Sequence, residues 1–290
     1  MFTKLLKAKF NLLVDSGYKK KLRQDILSYY AQVPEEELTS EQKEALHFLR
    51  HNRLHVFPHS FTEKYKNKEV EVILDKFLGL RYINHEGKKL YFKRSWGVRK
   101  IKRSYTYLLL EQDPKSPHLY LTDKYTIAEG DVIVDAGAAE GNFSLSVVEK
   151  AKKLYLFETD SEWIEALEAT FAPWKEKVEI VNKFVSDKND EQHVSLDHFF
   201  EEKGTVDFIK ADVEGAEADL LTGTQTLLKT TPHLKVAITT YHKQQDEEEI
   251  AAVLKDYGFR TSYSDGYMIF MYDENIRPPY FRRGLIRAEK

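Results

Sequence analysis

The stretch at residues 131–144 constrains the fold of this chain more than any other part of the sequence. A short apolar run, Val132–Val134, is followed by Asp135, by a turn that carries Gly137 and Gly141, and by an apolar-periodic segment. This order indicates a buried strand, a glycine-containing loop and the start of a helix. Such a loop lets a ligand lie against the backbone at the N-terminus of a helix. We therefore predict an α/β fold with a ligand bound at this loop.

The amino-acid composition restricts the classes of protein to which this chain can belong. The 290 residues are enough for one large domain or two modest ones, and the 42% hydrophobic content is typical of a globular chain. A formal net charge of −3 gives no overall signal for binding polyanions. The absence of cysteine excludes disulfides and thiolate metal ligands, and it is consistent with a reducing compartment.

Two further features concern membranes and export. No run approaches the roughly 18 apolar residues that a membrane span needs. The basic N-terminal segment, residues 1–10, has an apolar stretch that is too short and too charged for a secretory signal. We therefore expect a soluble protein of the cytoplasm.

Residues 1–117 are predicted to form an accessory region of helices and a hairpin. Thr39 and Gln42 are spaced as a capping box at the start of a helix. The apolar spacing over residues 70–80 predicts another helix. Two β-like runs flank a turn over residues 81–93, which predicts a hairpin.

Residues 88–103 are strongly basic. One interpretation is a surface that faces an anion, and the other is a solvated hairpin and helix face. We favour the second, because basic runs of this length are common on proteins that are neutral overall. The basic residues are Lys88, Lys89, Lys93, Arg94, Arg99, Lys100, Lys102 and Arg103.

Beyond the prolines at 114 and 117, predicted strands and helices alternate. Alternation requires a parallel sheet covered on both faces. A closing hairpin adds one antiparallel strand, as in class I methyltransferases, so the predicted fold class is a doubly wound α/β sheet, mostly parallel with one antiparallel strand. We predict a methyltransferase-like domain at 118–274 and a basic C-terminal extension at 275–290. The predicted strands are 132–135, 154–158, 178–181, 206–211 and 234–238, followed by the hairpin 259–263 and 267–272.

The glycine loop does not fit a dinucleotide. Its spacing, Asp135-x-Gly137-x-x-x-Gly141, lacks the middle glycine of the dinucleotide motif. Glu158 ends the next strand, where a carboxylate can accept both hydroxyls of a ribose. Taken singly, Asp135 is equally well a loop cap and Glu158 an ordinary residue at a strand end. Together they favour a nucleoside site, which suits S-adenosylmethionine (SAM). Thr159, with Glu162, is predicted to cap the helix that follows.

A second acidic cluster follows the fourth predicted strand. Asp212 and Glu214 are expected to face the same crevice, because the carboxyl ends of parallel strands meet there. Glu217 lies in the first turn of a helix, where the dipole favours a carboxylate. The acid pair also suits a divalent metal, but the sequence shows no histidines arranged beside it as ligands, and we predict no metal.

Three segments resemble the FkbM family of SAM-dependent methyltransferases. They are residues 134–144, the pair at 157–158 and residues 207–217, of which Asp-Val-Glu-Gly-Ala-Glu at 212–217 is the most specific signature. The resemblance covers residues 118–272. It implies SAM as cofactor, O-methylation of hydroxyls on sugars, polyketides or related metabolites, and a SAM site lined by Asp135, Gly137, Glu158 and Asp212. Many relatives carry an acid near residues 238–242, where this chain has threonine. The resemblance therefore does not identify the residue that activates the acceptor hydroxyl.

His242, which closes the fifth predicted strand, is the first candidate for a general base, and Asp212 and Glu214 are the alternatives. A structural role for His242, hydrogen-bonded to a neighbour, is equally compatible with the sequence. His118, before the first strand, is expected to be at most a lid residue. The predicted SAM-binding residues are Asp135, Gly137, Ala138, Glu140, Gly141, Asn142, Phe143, Glu158, Thr159, Val185 and Asp212.

Three functions follow as hypotheses. The favoured one is an O-methyltransferase acting on a sugar, glycan or small metabolite. The second is an RNA or DNA methyltransferase that grips phosphates with residues 88–103. The third is a SAM-binding protein without transfer activity. The Pro-Pro-Tyr sequence at 278–280 resembles a motif of enzymes that methylate nucleic-acid bases, but it does not follow the fourth strand, so we interpret it as a turn.

Overall fold

The computed structural model describes residues 16–66 and 68–290. The basic N-terminal segment at residues 1–10 lies outside this part of the chain. No helix in the described residues is both long and apolar enough to cross a bilayer.

The N-terminal part contains helices and a small sheet. The predicted capping box is confirmed, since the side chains of Thr39 and Gln42 each accept a hydrogen bond from the other residue's backbone N–H. The hairpin is also confirmed, with a turn at Glu86–Gly87 where both residues have positive φ. The elements are α1 (Ser16–Tyr30), α2 (Ser40–His51), β1 (Ile73–Asp75), β2 (Leu80–His85), β3 (Lys88–Phe92) and α3 (Val98–Glu111), with short 3₁₀ helices at Glu35–Glu37 and Ser60–Tyr65.

The predicted helix over residues 70–80 is wrong. The carboxylate of Asp75 accepts hydrogen bonds from the backbone N–H groups of Phe77 and Leu78, which closes a turn between β1 and β2. Phe77 is 96% exposed in this turn, so its helical spacing from the buried Val70 has no structural meaning.

A seven-stranded sheet forms the centre of the fold. Residues 132–136 pair in parallel with both 153–157 and 208–211, and among the seven strands residues 285–289 alone run opposite to the other six. The predicted fold class, a mostly parallel sheet with one antiparallel strand, is confirmed. The strands are β4 (Val132–Ala136), β5 (Lys153–Phe157), β6 (Val178–Val181), β9 (Phe208–Ala211), β10 (Lys235–Thr239), β11 (Arg260–Tyr263) and β12 (Leu285–Glu289), in the order β6-β5-β4-β9-β10-β12-β11.

The antiparallel strand is not the predicted one. We expected residues 259–263 to pair with 267–272, but β11 pairs with β12 instead. Residues 267–272 hold a single bridge, between Met268 and Arg282, and pack against α1 and α2. The predicted basic extension at 275–290 therefore contains a strand from the interior of the sheet.

Helices cover both faces of this sheet. Ile133 and Phe208 pack on one face with α3 and the helix at 161–171, and Val134 and Ile209 pack on the other with the helices at 196–200, 217–222, 225–230 and 246–256. This alternation is what a doubly covered parallel sheet requires. The elements between the strands are α4 (Asn142–Val147), α5 (Ser161–Phe171), a 3₁₀ helix at Ala172–Trp174, β7 (Phe184–Val185), β8 (His193–Val194), α6 (Leu196–Phe200), α7 (Glu217–Thr222), α8 (Gln225–Thr230) and α9 (Asp246–Asp256).

The cap of α5 corrects another prediction. We expected Thr159 to cap this helix, but Asp160 is the N-cap residue, and its carboxylate accepts hydrogen bonds from the N–H groups of Glu162 and Trp163. Thr159 is thereby left at the end of β5, beside Glu158.

Candidate active site

The loop after β4 lies directly against the loop after β9. Gly137 has φ +76°, and a Cβ added there would lie 2.0 Å from the backbone oxygen of Asp212. Gly141 has φ +77°, and its added Cβ would lie 2.5 Å from a methyl carbon of Leu167. Both positions therefore require glycine, for the backbone angle and for the close approach. The two predicted ligand-binding segments form the two sides of one crevice.

Asp135 does not point into this crevice, contrary to the prediction. It is fully buried, its Oδ1 lies 2.8 Å from Nζ of Lys210, and its Oδ2 accepts a hydrogen bond of 2.7 Å from Ser144. Lys210 also donates to the backbone oxygen of Gly137, at 2.8 Å. Burial lowers the pKa of Lys210, but the charge of Asp135 outweighs this effect and raises it, so the lysine stays charged. The pair anchors the glycine loop from below.

Glu158 is held at the end of β5 with its carboxylate beside the glycine loop. Its oxygens accept hydrogen bonds from the N–H groups of Ala139, Thr159 and Asp160, at 3.0, 2.7 and 2.8 Å. Three donors fix its orientation, while a carboxylate has about four lone-pair positions in all. Glu158 is partly exposed and can accept a further hydrogen bond from a ligand.

The other predicted SAM-binding residues divide into exposed and buried groups. Ala138, Phe143 and Val185 are buried in the core, and Phe143 stacks on Phe208, so this phenylalanine shapes the crevice from beneath. Burial raises the pKa of Glu140, whose carboxylate accepts a hydrogen bond from Ser104. The predicted residues that are partly exposed at the crevice are Gly137, Glu140, Asn142, Glu158, Thr159 and Asp212.

Asp212 is the centre of a polar cluster beyond the end of β9. Tyr120 donates a hydrogen bond of 2.9 Å to its Oδ2, and Tyr241 donates one of 3.3 Å to its Oδ1. Nε2 of His118 lies 3.3 Å from Oδ2. Burial alone would raise the pKa of Asp212, but the nearby His118, His242 and Lys210 outweigh it and hold the pKa well below its usual range. Asp212 therefore remains a carboxylate.

His242 lies between two carboxylates. Its Nδ1 is 2.9 Å from Oε1 of Glu217, and its Nε2 is 3.6 Å from Oδ1 of Asp212. Burial lowers the pKa of His242, but Glu217 and Asp212 outweigh burial and raise it. Both ring nitrogens are therefore engaged by acids, which does not suit the predicted role of His242 as a free base.

The two acids that follow Asp212 in the sequence have exchanged their expected roles. Glu214 is exposed and has φ +56°, so it lies on the rim of the crevice. Glu217, which we expected to be structural, is 1% exposed, contacts His242 and accepts a hydrogen bond of 3.1 Å from Thr239. The threonine that replaces an expected acid in β10 thus orients Glu217, the first residue of α7.

Glu111, at the end of α3, was missed in the sequence. Burial raises its pKa to about 7, and the charged groups that act on it are His118, Glu140, Asp212 and Lys210. These groups come from three different segments around the crevice, so Glu111 lies close enough to the crevice to be influenced by their charges. No hydrogen bond to its carboxylate occurs within residues 16–66 and 68–290.

Other parts of the site were also missed or misjudged. His118 is 2% exposed and contacts Asp212, so the prediction of a lid residue is wrong. Arg282, which we assigned to a basic extension, is 2% exposed and donates to the backbone oxygens of Tyr241 and His242, at 2.7 and 3.0 Å. Lys210 could have been found, because a lysine within a four-residue buried strand requires a buried acid opposite it.

A separate cavity of about 660 Å³ lies between α3 and the N-terminal helices. It contains none of the predicted site residues. Aromatic and basic side chains line it, among them His55, Tyr65, Arg103 and Tyr107.

The sequence of residues 92–261 matches the model of a protein family described as the methyltransferase FkbM domain. This match covers more than half of the chain. The chain belongs to the FkbM methyltransferase family. Membership of this family makes SAM the cofactor, and the strand order of the sheet is that of class I methyltransferases. A search of curated proteins found no match.

Several solved structures are similar in fold. The FkbM methyltransferase of Methylobacillus flagellatus is 15% identical, with a TM-score of 0.47, over 67% of this chain and 60% of that one. An rRNA methylase of Streptococcus thermophilus is 16% identical, with a TM-score of 0.39, over 57% of this chain and 89% of that one. A methyltransferase of Streptococcus mutans in complex with SAH is 15% identical, with a TM-score of 0.39, over 65% and 97%. The chain thus spans 60% of the length of the first of these proteins.

The crevice of this FkbM chain fits SAM. Gly137 and Gly141 have no side chains, so the loop after β4 leaves space for a ligand next to its backbone. Glu158 presents an oriented carboxylate on one side, and Asp212 closes the other side. SAM has no phosphate, so the missing middle glycine of the loop does not count against it.

Proposed function

We propose that the protein transfers the methyl group of SAM to a hydroxyl group of a sugar, a glycan or a small metabolite. The observation that carries this proposal is the cluster of carboxylate, imidazole and tyrosine side chains around Asp212, next to the glycine loop. A hydroxyl acceptor has to be oriented and to lose its proton during transfer, and these groups provide hydrogen-bond acceptors for that purpose.

We infer that Glu158 binds the ribose hydroxyls and that the loop at Gly137–Gly141 carries the rest of the cofactor. When bound, SAM supplies an electrophilic methyl group on a sulfonium. The remaining work is positioning, which contributes effective molarities of roughly 10⁵ M or more in favourable cases. Asp212, fixed by Tyr120 and Tyr241, is placed to orient the acceptor hydroxyl.

Glu111 is our candidate for the group that accepts the proton. A base works best when its pKa lies near the working pH, and burial raises the pKa of Glu111 to about 7. Asp212 is a poor base because its pKa is held far below neutrality. His242 is unsuited because both of its nitrogens face carboxylates.

Methylation of nucleic acid is not our proposal, because much of the basic stretch is already neutralised. Lys88 pairs with Glu149, Lys89 with Asp75, Lys93 with Asp160 and Arg94 with Glu165. Lys100 lies over the ring of Trp96, 4.1 Å from its centroid. Half of the eight basic residues are therefore unavailable as free phosphate contacts.

The test is a comparison of turnover and cofactor binding in Glu111→Gln and the wild type. We expect the variant to bind SAH as the wild type does and to lose roughly 10²–10⁴-fold in turnover, which is the usual contribution of a general base. Glu149→Gln, at an exposed glutamate far from the crevice, is the control. Full turnover in Glu111→Gln would remove Glu111 as the base, and absence of any O-methylated product with SAM bound would remove the proposal itself.

A further inference from the structure

The donor atoms around Asp212 have the composition and spacing of a metal site. Asp212, Glu217 and His242 each offer one ligand atom, and these atoms all lie within 4.8 Å of one another. Ligand atoms bound to one ion at about 2.0–2.2 Å lie roughly 3–4 Å apart. We propose that Asp212, Glu217 and His242 bind a divalent transition-metal ion.

Buried atoms without partners are the independent observation. His118 is 2% exposed, yet neither of its ring nitrogens makes a hydrogen bond to another described residue. Oε2 of Glu217, which is 1% exposed, also has no hydrogen-bond partner among the described residues. Several unpaired buried atoms around one carboxylate are costly unless an ion or a water satisfies them.

The carboxylates are oriented from outside the cluster. Tyr120 and Tyr241 donate to Asp212, and Thr239 donates to Glu217. Hydroxyl groups of this kind fix a carboxylate and leave lone pairs free for a metal. The loop that carries His242 is itself held by Arg282, which donates to its backbone oxygen at 3.0 Å.

The donor set selects the class of ion. One imidazole beside two carboxylates suits Zn²⁺, Fe²⁺ or Mn²⁺, whereas Mg²⁺ and Ca²⁺ take oxygen ligands. The two carboxylates balance the charge of a divalent ion when His242 is neutral. A thiolate ligand is excluded, because the chain has no cysteine.

The position of the site indicates a role for the ion in binding the methyl acceptor. This role rests on the proposed methyl transfer. Asp212 touches the glycine loop, so an ion bound to Asp212 lies at the crevice. An ion with open positions binds a hydroxyl oxygen and lowers the pKa of that hydroxyl. A metal here would hold the acceptor oxygen, while Glu111 accepts its proton.

Metal binding is measured directly, without methyl donor or acceptor, so the result is independent of the proposed function. Chelator-treated full-length protein is titrated calorimetrically with ZnCl₂ and, separately, with MgCl₂. We expect one Zn²⁺ per chain, bound far more tightly than Mg²⁺. Glu217→Gln and His242→Gln should each weaken Zn²⁺ binding by about 10-fold or more. Co²⁺ should give visible absorption bands that both substitutions change.

His193→Gln is the matched control, because His193 lies on β8 and pairs with Asp190 at 2.9 Å, away from the cluster. SAH binding by each variant checks that it is folded. Absence of Zn²⁺ binding by the wild type would overturn the proposal. Equal Zn²⁺ binding by the wild type and all three variants would also overturn it, since the ion would then be on surface histidines.

Discussion

Nζ of Lys210 lies 2.8 Å from Oδ1 of Asp135 in the buried centre of the sheet. The register of β4 and β9 places these two residues directly opposite each other. Lys210→Met would leave the charge of Asp135 buried and unpaired. We expect a loss of about 3–5 kcal/mol in the free energy of unfolding, measured by urea denaturation.

Two further variants complete that test. Asp135→Asn with Lys210→Met removes both charges and should recover most of the loss. Lys153→Met breaks only a half-exposed pair with Glu179, at 3.8 Å, and should cost about 0–1 kcal/mol. A loss in Lys210→Met no larger than in Lys153→Met would show that the buried pair does not stabilise the loop.

Gly137→Ala tests the contact between the two sides of the crevice. An alanine there needs φ +76° and brings Cβ against the backbone oxygen of Asp212. Adopting this backbone region costs a non-glycine residue about 1–2 kcal/mol before any clash, so SAH affinity should fall by at least about tenfold. Isothermal titration with SAH measures this change.

Gly204→Ala is the matched control for that variant. Gly204 has φ +88°, but an added Cβ there meets no atom within 4 Å. It carries the same kind of backbone strain without the clash and lies away from the crevice. Equal SAH affinity in Gly137→Ala and Gly204→Ala would contradict the close approach as the reason for glycine at 137.

Glu111 should also make stability depend on pH. Its pKa is about 7 in the folded chain and near 4.3 when unfolded, so the folded state keeps this proton to higher pH. The contribution of Glu111 to stability therefore falls as pH rises from about 4.3 to 7, by up to about 4 kcal/mol. Unfolding free energies of the wild type and Glu111→Gln, measured at pH 5 and pH 8, should differ most at pH 8, where the variant is the more stable. The same difference at both pH values would contradict the raised pKa.

The basic stretch gives a prediction about nucleic acid. Arg99, Lys100, Lys102 and Arg103 lie on the exposed face of α3. We expect no RNA binding at low salt beyond weak electrostatic association, and we expect glutamine at all four positions to leave methyl transfer unchanged. A filter-binding assay across salt concentrations checks the first point. Tight binding that weakens steeply with salt and disappears in the fourfold variant would instead support the nucleic-acid hypothesis.

Much of the fold could be predicted because it depends on local patterns. The run Val132–Val134 forms most of β4, and the glycine loop and the acidic segment follow β4 and β9, which are neighbouring strands of the sheet. The last strand could not be predicted in the same way. Arg287 interrupts the apolar pattern of β12, and its burial depends on backbone oxygens of Leu119 and Tyr120, far away in the sequence.

The candidate site shows the same division. Glu158 and Asp212 are found from their positions at strand ends. His118 and Glu111 are not, because they reach the crevice from segments before β4 whose path the sequence does not reveal. Asp135 ends its strand as predicted, but its side chain lies in the core and not in the crevice. The reason is its pairing with Lys210, which lies on a neighbouring strand.

The central claim is the transfer of methyl from SAM to oxygen, and isotope transfer tests it most directly. The purified protein is incubated with SAM that carries a deuterated methyl group and with sugars, glycans and hydroxylated metabolites, and the products are analysed by mass spectrometry and NMR. The account predicts a deuterated methyl group on a hydroxyl oxygen, formed by the wild type and strongly reduced in Glu111→Gln. Transfer of the label to nitrogen of a nucleic-acid base, or binding of SAM without any labelled product, would contradict it.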